Sequence, residues 1–232
     1  MQKTLTRREL IAIMGAAGSA AAWGCGTDSV TSPSADTSSS ATTSGSTSAA
    51  CAVTPTETVG PYPSHADIFR SDVREDRSGT ALMLNLKVVN ASANCAPVSG
   101  ANVEIWHCDA AGDYSEYGTQ TTATWLRGVQ TTNASGDVVF TTVYPGWYQG
   151  RATHIHIEVT INGRSVKATQ IAFPESINAT VYAQGVYARR GSNPMSNASD
   201  GIFADSLTSE LVTPSGNPSS GFTANFQINV TV

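Results

Sequence analysis

From residue 222 to residue 232 the chain alternates without a break. Phe222, Ala224, Phe226, Ile228, Val230 and Val232 take every second place, and Thr223, Asn225, Gln227, Asn229 and Thr231 fill the gaps. Successive side chains of a strand point to opposite sides, so this period of two describes a strand with one wet face and one buried face. Such a strand needs neighbours and a second layer over its apolar side. The period recurs where Leu82, Leu84, Leu86 and Val88 alternate with Met83, Asn85 and Lys87. Shorter strands are predicted at residues 103–106, 138–143, 154–161 and 165–173. Turn signals punctuate them at residues 109–112 and 133–136 and at Asn162-Gly163, the last a strong hairpin signal. The pattern predicts an all-β fold, an antiparallel β-sandwich with long loops and little helix. Residues 177–185 have mild helical character, and residues 188–220 read as long loops rich in Gly, Ser, Asn and Pro. There is no internal repeat.

Charge agrees with this and narrows the partners. Only 13% of residues are charged, which favours sheets over charged surface helices. The net charge is −5, from 13 basic and 18 acidic residues. No basic run exists beyond the first eight residues, which argues against nucleic-acid binding, since that needs a clustered basic footprint.

The chain divides into three parts. Residues 1–25 read as an export signal: Lys3, Arg7 and Arg8 precede an apolar stretch from Leu10 to Gly24. The Arg7-Arg8 pair resembles a twin-arginine signal. Cys25, after Ala-Trp-Gly, resembles a lipoprotein cleavage site and offers a lipid anchor to a membrane; a soluble secreted protein is the alternative. Residues 26–50 are a Ser/Thr-rich linker. Residues 51–232 are the sandwich domain, long enough for one sizeable core. The expected location is outside the cytoplasmic membrane, periplasmic or anchored as a lipoprotein. Cysteine usage suits an oxidising compartment. Among Cys51, Cys95 and Cys108, a Cys95–Cys108 disulfide is the first expectation, with Cys51–Cys95 as the alternative.

The strand at 154–161 is two-faced in an unusual way. Ile155, Ile157, Val159 and Ile161 form the core side; His154, His156, Glu158 and Thr160 share the other. Two imidazoles on one face can grip one metal ion, although His-x-His alone fits zinc, copper or iron, and an exposed pair is the plain alternative. Tyr148 follows a Pro145-Gly146 turn that can aim it back over the strand. Arg151, three before His154, would lie on the opposite side of an ideal strand and joins only if the chain bends, which Gly150 permits. His107 reads as a structural histidine, His65 as an exposed loop residue, Glu158 as a surface carboxylate, and Tyr144 and Trp147 as packing groups.

Four segments carry a resemblance: Thr58-Val-Gly-Pro-Tyr-Pro63, Ile105-Trp-His-Cys-Asp-Ala-Ala-Gly-Asp-Tyr-Ser115, Leu126-Arg-Gly-Val-Gln-Thr-Thr132, and the Pro-Gly-x-Tyr…Arg-x-x-His-Ile-His element ending at His156. In this order they resemble the intradiol ring-cleavage dioxygenases, non-haem iron(III) enzymes that split catechols between their two hydroxyls. The resemblance implies an Fe(3+) cofactor held by Tyr114, Tyr148, His154 and His156, with Tyr148 leaving the metal when substrate binds. It implies that Arg151 stabilises negative charge on the ring, that Gln170 lies near the substrate and that Tyr62 lines the pocket. Two phenolates are hard anionic ligands and suit iron(III) better than iron(II). The implied activity inserts dioxygen into a catechol-type ring to give a muconate-type diacid. The alternative is a non-catalytic metal-binding β-sandwich module at the cell surface.

Overall fold

The computed structural model describes residues 51–232. The segments expected to be an export signal and a linker, with Cys25, lie outside the described residues.

Among the described residues, nine strands form two sheets. The first contains β1 (Ala81–Asn90), β2 (Ala96–Pro97), β5 (Asp137–Val143), β8 (Ser215–Asn217) and β9 (Gly221–Val230). The second runs in the order β4 (Arg127–Thr131), β3 (Asn102–Trp106), β6 (His154–Ile161), β7 (Arg164–Ala172). Every pair is antiparallel except β1 with β9, the first and last long strands of the domain, which run parallel in register from Leu82↔Phe222 to Asn90↔Val230. The expected Asn162-Gly163 hairpin is present: both residues have positive φ, at 51° and 72°, and Ile161 faces Arg164 across it.

The core lies between the sheets. Leu82, Leu84 and Leu86 of β1, Phe140 of β5 and Ala224 of β9 pack against Val103 and Ile105 of β3 and Ile155, Ile157 and Val159 of β6. Three strands were not anticipated: β2, β4 and β8, all short. β4 reads Arg-Gly-Val-Gln-Thr and carries no run of alternating apolar residues. Helix is scarce, as expected: α1 (Glu175–Tyr182) and α2 (Leu207–Glu210).

The disulfide expectation is corrected. Cys51 is bonded to Cys95, with Cα atoms 5.6 Å apart, and Cys108 is a buried free thiol. Cys95 and Cys108 flank β3, and five extended residues at ~3.3 Å each hold the strand's ends beyond the ~7 Å that a disulfide spans. Cys108 packs instead beside Trp106 and Tyr114.

The bridge to Cys95 starts a strap that crosses the outer face of the second sheet. Thr54 pairs with Asn229, and Lys167 Nζ donates to Thr54 O. Glu57 N–H donates to Ala168 O on β7. At the far edge, Ile68 and Arg70 pair with Val129 of β4. The end of that face that carries Trp106, His154, His156 and Gln170 is buried, whereas Glu104, Glu158 and Thr160 further along are half-buried.

Candidate metal centre

Beneath this strap, register sets the central row. His156 of β6 lies opposite Trp106 of β3 on one side and Gln170 of β7 on the other. The three share one face, so the hairpin that joins β6 to β7 brings Gln170 beside the histidines. Trp106 stacks on His156, with centroids 4.8 Å apart and planes 3° from parallel. On the strap, Gly60 has φ +72°, and a Cβ there would sit 2.9 Å from His156 Cε1. Only glycine lets backbone approach the ring this closely. The imidazole is thus held between an indole and a peptide.

Both histidines are buried. His154 Nδ1 lies 2.6 Å from Ala152 O, so Nδ1 carries the proton and Nε2 bears the lone pair. His154 Nε2 is 3.1 Å from His156 Nε2 and 3.5 Å from Tyr114 Oη. Burial pushes the pKa of His154 down to about 3, with the nearby Arg151 charge adding to it. Burial also drives His156 well below its ordinary value, followed by the charges of His154 and Arg151. Neutral imidazoles with converging Nε2 atoms are what a metal ion requires of histidine ligands.

The tyrosines arrive on two loops. Tyr114 sits in the β3–β4 loop, where Asp109 Oδ1 accepts from the N–H groups of Ala111 and Asp113 and holds the turn. Tyr148 sits in the β5–β6 loop. That loop packs so closely on the other that a Cβ at Gly146 would collide with the Asp109 carbonyl. Tyr114 and Tyr148 have centroids 5.6 Å apart, and Tyr148 meets His154 edge-on at 5.5 Å. Tyr62, on the strap, stacks on Tyr114 at 4.5 Å and touches Tyr148 edge-on at 5.8 Å. The cavity on this side, about 130 Å³, is lined by Tyr62, Tyr114 and Tyr117. Burial raises the Tyr114 phenol well above its ordinary value; Tyr148 is raised by burial too, with Arg151 opposing.

The chain does bend before β6. Gly150 has φ +88°, and Arg151 turns onto the histidine side. Its Nη2 donates to Gln170 Oε1 at 2.6 Å, and Nη1 is 3.5 Å from Tyr148 Oη. Gln170 Nε2 donates to Thr58 O of the strap. Tyr62, Tyr114, Tyr148, Arg151, His154, His156 and Gln170, drawn from five separate segments, therefore meet in one place.

The donor set fits a hard cation. With His154 Nε2 bare, the 3.1 Å contact demands either a proton on His156 Nε2 or a cation shared between the two lone pairs. His156 Nδ1 finds no hydrogen-bond partner among the described residues. No group of three or more His, Cys, Asp or Glu side chains converges among the described residues, and the side-chain oxygen bonded to His154 Nε2 is the Tyr114 phenol at 3.5 Å.

The remaining residues fall elsewhere. His107 bonds Thr142 Oγ1 at 2.8 Å and Cys108 O at 2.9 Å, a structural role away from the tyrosines. His65 is exposed; Glu158 is half-buried and faces Glu104 across β3. Tyr144 and Trp147 pack and donate to Asn178 Oδ1 and Gly191 O.

Arg127 and Asp200 are buried charges that bond residues of the centre and carry no sign of it in the periodic pattern of the sequence. Arg127 is 1% exposed and reaches Ser115 Oγ, Ser115 O and Tyr62 O, with Glu116 at 3.3 Å; it fastens the Tyr62 strap to the Tyr114 loop. Its place in the matched Leu126–Thr132 segment was the available signal. Asp200 bonds Arg151, and a lone acid in a polar loop gave no signal.

Known proteins share this arrangement of strands. The sequence model of a dioxygenase family matches residues 58–186. The chain is 31% identical to an intradiol ring-cleavage dioxygenase from Tetranychus urticae, over 78% of this chain and 95% of that one, with a TM-score of 0.73. It is 27% identical to the dioxygenase domain of a dioxygenase–carbohydrate-binding protein fusion from Streptomyces sp. SirexAA-E, over 78% and 99%, at a TM-score of 0.60. Catechol 1,2-dioxygenase from Pseudomonas arvilla C-1 shares the fold at 20% identity, over 77% of this chain and 62% of that one, with a TM-score of 0.57.

Proposed function

The chain belongs to the intradiol ring-cleavage dioxygenases, and from that premise we propose that it inserts dioxygen into a catechol-type ring with an iron(III) ion held by Tyr114, Tyr148, His154 and His156. The observation that carries this reading is the convergence on His154 Nε2 of His156 Nε2 at 3.1 Å and Tyr114 Oη at 3.5 Å, with Tyr148 and Arg151 alongside. Iron(III), when bound, supplies a hard Lewis acid that keeps the phenols ionised and draws electron density from the ring.

The chain's own groups do the rest. The Ala152 carbonyl fixes the His154 tautomer, and Trp106 with Gly60 fixes the plane of His156. Tyr148 Oη accepts a proton from a catechol hydroxyl as the ring enters, acting as general base. Arg151 sits where negative charge grows on the ring, and its guanidinium stays charged throughout. Gln170 holds Arg151 Nη2 in place. Tyr62 and the strap exclude bulk water, which strengthens each of these interactions. Both oxygen atoms of dioxygen enter the product and one ring C–C bond breaks, so catechol plus O₂ becomes a muconate-type diacid with no external reductant.

The place of action in this reading is outside the cytoplasm, by soluble export or a lipid anchor at Cys25. Arg7-Arg8 with the apolar stretch, and the Cys51–Cys95 bridge, support it.

The test is iron reconstitution of the purified protein, followed by visible absorbance and oxygen uptake with a panel of catechols. A red-brown tyrosinate-to-iron band and muconate-type diacids are expected. A colourless protein that takes up no iron would sink the metal assignment. Iron uptake without oxygen uptake would favour the non-catalytic metal-binding module. Tyr148→Phe is expected to weaken the band and slow turnover; unchanged turnover would contradict its role.

A further inference from the structure

Residues 188–220 read in sequence as long loops, yet they deliver Asp200 to Arg151 of the centre. Asp200 is 1% exposed. Its Oδ2 accepts from Arg151 Nε at 2.8 Å and from the Ala152 backbone N–H at 2.7 Å, and its Oδ1 accepts from Ile202 N–H at 2.9 Å. The turn that carries it is itself tied down, because Asn197 donates from Nδ2 to Phe173 O and from N–H to Glu175 Oε1. Phe203, three residues on, lies 5.8 Å from the Arg151 guanidinium carbon.

A guanidinium is a rigid plane with five donors in fixed directions. Once Nε is bonded to Asp200, the directions of Nη1 and Nη2 are set, and they are the two nitrogens that face Tyr148 and Gln170. The same Asp200 oxygen holds the N–H of Ala152, whose carbonyl fixes the His154 ring. One carboxylate oxygen thus touches both the charged group and the N–H of the residue whose carbonyl, in the next peptide unit, orients a histidine.

We propose that Asp200 is a positioning residue for ring cleavage, holding Arg151 so that its two terminal nitrogens face the reacting ring. This rests on the dioxygenase reading above. Asn at 200 keeps the size but has a single acceptor oxygen, so it cannot serve Arg151, Ala152 and Ile202 together. In the iron-loaded full chain, Asp200→Asn is expected to lower kcat by about tenfold to a hundredfold, the cost of a misplaced charge at a reacting centre. KM, iron stoichiometry and the visible band should stay close to the parent's. In an Arg151→Ala background the same substitution should cost much less than in the parent, because the two changes share the Arg151–Asp200 interaction.

An equal loss in both backgrounds, or a fall in kcat that only tracks lost iron, would show that Asp200 serves the fold or the metal and would overturn the proposal. An unchanged kcat in Arg151→Ala alone would overturn it as well. Both results require an active parent, so they are distinct from failure of the dioxygenase reading, in which the iron-loaded parent cleaves no catechol. If Asp200→Asn does not fold, as judged by circular dichroism, Asp200→Glu keeps the charge but displaces it by one methylene and is read in the same way.

Discussion

The first sheet turns Met83, Asn85 and Lys87 of β1, with Thr223, Asn225 and Gln227 of β9, toward solvent; all are exposed or half-buried. The corresponding face of the second sheet carries Trp106, His154, His156 and Gln170, all at most 2% exposed under the strap. A β-sandwich needs only its inner faces dry. Where an outer face is also dry and its side chains are polar, fold stability does not explain the choice, because buried polar groups cost free energy unless they are partnered. The contrast separates a sheet with one dry face from a sheet that also buries polar side chains on its outer side, the side to which the proposed centre is assigned. It also says that substitutions on the two outer faces should have unlike consequences.

The largest expected effect is at His156. His156→Ala should abolish iron binding, the visible band and oxygen uptake while circular dichroism stays near the parent's; retained iron at full stoichiometry would break the comparison. Next is a residue of the first sheet's inner face. Leu84→Ala should lower the free energy of unfolding by about 2–5 kcal/mol in a urea titration, as large-to-small core changes do. Iron per folded molecule should not change, and a loss of iron there would mean that the two layers are not separable.

His107 ties the end of β3 to Thr142 on β5 and sharpens the comparison through pH. Burial lowers its pKa to about 4, from an ordinary 6.5. The unfolded chain therefore binds the proton first, so the contribution of His107 is complete above about 6.5 and is lost as pH falls toward about 4. At most this is worth roughly 3 kcal/mol. In the metal-free protein, His107→Gln should flatten that part of the acid limb in urea midpoints measured from pH 7 to 4; an unaltered slope would contradict the assignment. The smallest effect belongs to the wet face. Asn225→Ala removes an exposed amide bond to Asn85 and should shift stability by no more than about 0.5 kcal/mol, with oxygen uptake unchanged. A marked loss of activity would give the first sheet a part in the chemistry.

The same contrast governs what can be read in the sequence. β1, β5 and β9 write one wet face plainly in their alternation, whereas β6 is legible because its aliphatic side chains alternate with His154, His156, Glu158 and Thr160, and β7 because the Asn162-Gly163 turn precedes it. β4 is not legible, because Arg127 and Gly128 answer to a buried charge network and to a crossing segment rather than to the period of two. The parallel pairing of β1 with β9 is a long-range choice with no local mark. In the centre, His154 and His156 declared themselves by spacing, and Tyr114, Tyr148, Arg151, Gln170 and Tyr62 through motif resemblance. Trp106 and Gly60 were present in those motifs, but their stacking on His156 depends on strand register and on a strap that crosses the sheet. Asp200 was illegible because its partner lies 49 residues away and its neighbours form a polar loop. The pairing of Cys51 with Cys95 has no local mark in the sequence, because the nearer partner, Cys108, is held away from Cys95 by the extended length of β3.

The bridge between Cys51 and Cys95 also has a mechanical meaning. Any tension applied to the chain ahead of residue 51 reaches a covalent link into the β1–β2 hairpin before it reaches the strap. The load passes into the first sheet, across its ladder of backbone bonds, and bypasses Gly60 and Tyr62. A domain towed by its N-terminal end would keep its roof in place over the histidines, as a harness anchored to the frame spares the door.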